Sequence, residues 1–75
     1  MSTPFATPTP AAELREELDV LLAERAFARL EGLDANPAYE ADLDDEILCT
    51  RIAYVGAAVT EIASLRAELD GPLQG

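Results

Sequence analysis

Apolar residues recur along most of this chain at helical intervals, and they do so on more than one side of each helix. From Asp42 to Asp70 the order Leu48, Ile52, Val55, Val59, Ile62 has the 4-3-4-3 spacing of a coiled-coil seam, and Leu69 extends it one heptad later. Leu43, Ile47, Tyr54, Ala58 and Leu65 form a flanking apolar row. Cys49, Ala53, Gly56, Thr60, Ala63 and Ala67 form a third stripe, made only of small residues, which sterically permits close approach of another helix. As one helix, this stretch is roughly 43 Å long.

The earlier half shows a second amphipathic helix with two apolar sides. Leu14, Leu18, Leu21, Leu22 and Ala28 share one side, and Val20, Ala23, Phe27 and Leu30 fall nearly opposite. One neighbour covers one side only, so a helix of this kind must be sandwiched or leave a face in water. Its start is marked by Thr9 as a cap, with Pro10 in the first turn, where the missing N–H costs nothing. Glu13, Glu16, Glu17 and Asp19 suit the positive end of the helix dipole, and Arg25 and Arg29 suit the negative end. Gly32 is placed to end it in a left-handed conformation, with Leu33 as the accompanying apolar contact. The first helix is therefore expected at 10–31.

Between the helices, Asn36-Pro37 is a turn or helix-start signal. Two registers fit. Asn36 caps a helix beginning at Pro37, with Tyr39, Leu43 and Ile47 aligned at i, i+4, i+8. Alternatively, 37–40 is an isolated turn and Asp42 caps the main helix. The acidic run Asp42, Asp44, Asp45, Glu46 belongs near a helix N-terminus and favours the later start. The expected layout is a Pro/Thr-rich arm at 1–9, a helix at 10–31, a loop at 32–41, a helix at 42–70 and a tail at 72–75, with Gly71 and Pro72 as the stop.

The fold class that follows is all-α: an antiparallel two-helix hairpin. A chain of 75 residues buries a modest share of its surface, and domains this small usually need a staple, a metal or a partner chain. One cysteine forms no internal disulfide, and without histidine there is no structural zinc set. A second copy, closing a four-helix bundle, is the simplest cover for the spare faces. A homodimer or higher homo-oligomer is expected, with Val20, Phe27, Leu30, Leu48, Ile52, Val55, Gly56, Val59, Ile62 and Leu69 at the interface.

Charge narrows the function classes. Five arginines, no lysine and fifteen acidic residues give a net charge of −10. That argues against nucleic acid, which needs clustered cations, and against anionic membrane surfaces. No apolar run looks long enough to span a bilayer, and MSTPFATPTP lacks the basic and apolar regions of a secretory signal. The default compartment is the cytoplasm.

Candidate chemistry is sparse. Asp34 and Asn36, with Asp45 at the twelfth place, have part of a calcium-loop pattern, but Ala38, Tyr39 and Asp45 stand where an oxygen ligand, Gly and Glu are needed. Glu13 and Glu16 on the first helix, with Asp42, Asp45 and Glu46 on the second, resemble the carboxylate pairs of all-helical nucleotide pyrophosphohydrolases. Those carry ExxE and then ExxD; here Asp42-x-x-Asp45 is the nearest match, and the two clusters lie at opposite ends of a hairpin. LREELD (Leu14–Asp19) followed by LLAERA (Leu21–Ala26) resembles the first helix of small helical chorismate mutases over about thirteen residues. That family relies on a lysine to hold a dicarboxylate, and this chain has none. Cys49, two turns inside a helix, reads as a buried packing residue. Arg51 and Arg66 edge the seam.

No catalytic, cofactor-binding or metal residues are therefore assigned, and no cofactor is expected. The leading expectation is a non-enzymatic protein–protein interaction or oligomerisation module, a regulator or adaptor. Two alternatives remain: an acidic inhibitor or nucleic-acid mimic that binds a basic protein, and a dimeric metal-dependent hydrolase holding Mg²⁺ between Glu13, Glu16, Asp42 and Asp45.

Overall fold

The computed structural model describes residues 8–71. Helix α1 runs Ala11–Leu30, a single 3₁₀ turn follows at Leu33–Ala35, and helix α2 runs Pro37–Asp70. The two helices pack against each other as a hairpin, and no strand occurs among the described residues. The molecule measures 61 × 33 × 15 Å, and the two helices form a single layer with no further element packed above or below them among the described residues.

The turn explains the register. Glu31 ends α1, donating its N–H to Phe27 O at 3.0 Å. Gly32 then takes φ +78°, a left-handed conformation in which any Cβ is strained. Leu33 is half exposed in the 3₁₀ turn, which lies against both helices. Asn36 follows in an extended conformation, and its side-chain oxygen accepts from the N–H groups of Ala38 at 3.1 Å and Tyr39 at 3.2 Å. Pro37 occupies the first helical position, where its fixed φ suits the helix.

The loop expected over 32–41 is thus shorter, and α2 starts at Pro37 rather than Asp42. Two hydrogen bonds to one Asn oxygen satisfy donors that would otherwise be orphans, a stronger local device than a run of carboxylates near a dipole. The acidic run falls in the second and third turns of α2 instead.

At its other end α1 begins one residue later than expected. Pro10 is the capping residue, at φ −64° and ψ 150°, and it makes no side-chain cap. The cap comes from α2: Glu61 Oε2 accepts the Ala11 N–H at 2.7 Å. A carboxylate there answers both an orphan donor and the positive end of the dipole. Gly71 is the C-cap of α2, as the sequence suggests, in the right-handed region at φ −55°, with its N–H donating to Ala67 O. The arm at 1–7 and the tail at 72–75, including Pro72, lie outside the described residues.

The core is small. Leu18 and Leu21 of α1 meet Leu43 and Ile47 of α2, with Leu22 and Tyr39 against them. Ile47 is the most enclosed, at 2% exposure. Ala28 is buried nearer the turn and Ala11 beside Glu61. Around this core run the pairs that fix the register: Arg25 to Asp44 at 3.3 Å, Arg29 to Glu40 at 3.4 Å, and Tyr39 Oη donating to Glu24 Oε2 at 2.9 Å. Arg15 pairs loosely with Asp19 at 3.9 Å and lies 6.0 Å from the centre of the Tyr54 ring.

Candidate functional site

The surface α2 turns away from α1 is the most distinctive feature of the molecule. The hairpin uses the flanking row for its own core: Leu43 and Ile47 are buried, and Tyr54 and Ala58 are partly covered. The 4-3-4-3 seam is left in water. Leu48, Ile52, Val55, Val59, Ile62 and Leu69 are each between 51% and 64% exposed. At 100° per residue the seam is centred about 100° around the helix from the α1-facing row. That is close to the angle between two neighbours of a helix at the corner of a bundle.

The second unpartnered face is on α1. Val20, Phe27 and Leu30 are 61–83% exposed, on the far side from α2. Ala23 between them is exposed as well. The hairpin brings none of the ten residues expected at an interface into its own core.

The small-residue stripe is also uncovered. Ala53, Gly56, Thr60, Ser64 and Glu68 form one wall of an open groove of about 970 Å³, and Pro8, Pro10 and Leu14 contribute the other side. An added Cβ at Gly56 meets no atom within 4 Å, so nothing in the chain itself requires glycine there. Cys49, expected to be buried, is exposed. Its stripe lies outside the Leu18–Leu21–Leu43–Ile47 core, and its middle part borders the open groove beside the start of α1.

The carboxylates do not assemble. No group of three or more acidic or thiol side chains suited to a metal ion occurs among the described residues. Glu13 lies in the first turn of α1, at the end where Ala11 meets Glu61, whereas Asp44 meets Arg25 at the other end. Asp34, in the 3₁₀ turn, and Asn36 are absorbed by turn and cap geometry; the Asn36 oxygen is occupied by two N–H groups.

One group titrates away from its ordinary value. The hydrogen bond from Tyr39 to the Glu24 carboxylate raises the Tyr39 pKa above 10.0, with desolvation and the Glu24 charge acting in the same direction. The bond braces one helix against the other, beside a shallow niche of about 10 Å³.

The sequence reading missed Glu61 as a cap. Its signal was the turn: once Gly32 and Asn36 bracket a hairpin closing at Asp34–Ala35, Arg25 falls opposite Asp44 and Arg29 opposite Glu40. The same register carries Ala11 to the neighbourhood of Glu61.

Length and composition also revise the membrane reading. Within Pro37–Asp70 there is an 18-residue window of hydropathy 1.3, long and apolar enough to cross a bilayer by those two criteria. The expectation that no stretch reaches that length is corrected. The stretch nevertheless holds Arg51 and Glu61, each costing about 2.5–3.5 kcal/mol at a bilayer centre, and Glu61 is engaged with the end of α1.

No known protein family, no characterised protein and no solved structure matches this chain significantly.

Proposed function

We propose that this chain is a non-enzymatic, self-associating helical module that works by protein–protein contact. The exposed seam Leu48, Ile52, Val55, Val59, Ile62, Leu69 is the observation that supports the reading. Six large apolar side chains at heptad spacing on one face form a continuous patch of the kind that marks an interaction surface. Two hairpins joined through these seams make a four-helix bundle. In that arrangement the Val20, Phe27 and Leu30 face of α1 stays outside and is available to another protein, as in an adaptor or regulator. The acidic exterior keeps the assembly soluble in the cytoplasm.

Sedimentation equilibrium in aqueous buffer tests this. The expected result is a dimeric mass at micromolar concentration. Val59→Asp, which puts a charge without a partner into the seam of both copies, is expected to return the chain to monomer. A folded monomer of the unaltered chain, or Val59→Asp with unchanged mass, overturns the proposal. So does a chain that stays in solution only with detergent and floats with lipid vesicles, which would make α2 a membrane segment.

A further inference from the structure

The seam is apolar without interruption from Leu48 to Ile62, with a charged position on either side of that run and Leu69 beyond the second. Continuing the 4-3-4-3 spacing backward from Leu48 reaches Asp45, and continuing it forward from Ile62 reaches Arg66. Both are exposed. Asp44, one residue away, is engaged by Arg25, but neither Asp45 nor Arg66 has an ion pair among the described residues. The face that a partner must cover therefore carries a free anion at one end and a free cation at the other.

We infer that a second copy docks on this face antiparallel, α2 against α2, about a two-fold axis between Val55 and Gly56. The inference rests on the self-association proposed above and adds its direction and register. Folding the seam on itself about that axis sets Ile52 against Val59 and brings Leu48 within one residue of Ile62. It sets Asp45 of each copy against Arg66 of the other, twice by symmetry. Val55 comes to lie beside Gly56, where there is open space for it. The parallel, in-register alternative stacks Asp45 on Asp45 and Arg66 on Arg66, so like charges meet at both ends of an apolar strip.

The area is sufficient. The five apolar side chains from Leu48 to Ile62, exposed to this extent, offer roughly 500 Å² per copy, on the order of 1,000 Å² for the pair, about the least a specific interface needs. A contact of that size is sensitive to its polar ends, so the charge pattern decides direction.

Two measurements test the arrangement. In the first, sedimentation equilibrium compares Asp45→Arg, Arg66→Asp and the double variant. Each single variant puts like charges together at both symmetry-related contacts and is expected to weaken the dimer about tenfold; the double variant restores it. In the parallel arrangement Asp45→Arg only exchanges one like pair for another, so no weakening and no rescue overturns the inference. In the second, single cysteines are introduced into a Cys49→Ser background and oxidised. Leu48→Cys and Ile62→Cys are expected not to cross-link alone, since two copies of either site lie about 21 Å apart along the axis. A mixture of the two is expected to cross-link. Self-cross-linking of Leu48→Cys overturns the antiparallel register while leaving the dimer intact. A monomer for the unaltered chain removes the inference together with the proposal beneath it.

Discussion

Two glycines in this chain have opposite consequences. Gly32 sits at φ +78°, and Gly32→Ala is expected to destabilise the hairpin by about 1–2 kcal/mol. Gly56 lies inside α2 with open space at its missing Cβ, and Gly56→Ala is expected to stabilise the single chain by about 1 kcal/mol. Urea titration of both variants, below the concentration at which copies associate, checks the signs. Tyr39 supplies a pH-dependent contribution. Its folded pKa lies above the unfolded value of 10.0, so the protonated phenol is preferred in the hairpin. The resulting stability is fully present below pH 10 and is lost as pH rises through the folded pKa. In a Tyr54→Phe background, ultraviolet titration of tyrosinate is expected to show the Tyr39 midpoint falling when Glu24 is changed to Gln.

Among the elements, α1 depends on α2 for its beginning. A helix whose own capping residue is proline has no side chain to accept its first N–H groups, and Glu61 supplies the acceptor from fifty residues away. Glu61→Ala is expected to cost about 1–2 kcal/mol and to fray the first turn of α1. Loss of amide protection confined to Glu13 and Leu14 and their neighbours is the measurement that shows it. The sequence made the helices and their inner faces plain, because Leu18, Leu21, Leu43 and Ile47 repeat at helical spacing and no competing strand pattern exists. It left the start of α2 open between Pro37 and Asp42. Carboxylates suit a helix start and also suit an exposed flank, whereas the two bonds to the Asn36 oxygen become visible only with the backbone in place.

For the whole molecule, the balance of burial decides behaviour. Four large residues fill the hairpin core, and eleven large apolar residues remain half exposed or more. All ten residues expected at an interface are on surfaces the hairpin leaves uncovered. The sequence alone did not separate the seam from the flanking row, since both are apolar at the same period. Only the turn geometry decides which of the two α1 covers. If association proceeds through the seam, the melting temperature is expected to rise with protein concentration, because a partner that binds only the folded chain stabilises it by mass action. Calorimetric scans over a hundredfold dilution series check this, and Val59→Asp is expected to abolish the trend.

α1 begins alongside Glu61, and α2 continues past that point for nine more residues to Asp70. Every one of these is exposed. Short helical segments are marginal in water when nothing lies against them. This projecting end, bordered among the described residues only by the open groove beside Pro8 and Pro10, is expected to fray before the rest of the hairpin. A neighbouring chain laid along it shifts that balance, so the helicity of the last two turns becomes a local gauge of how crowded the protein is with its own kind.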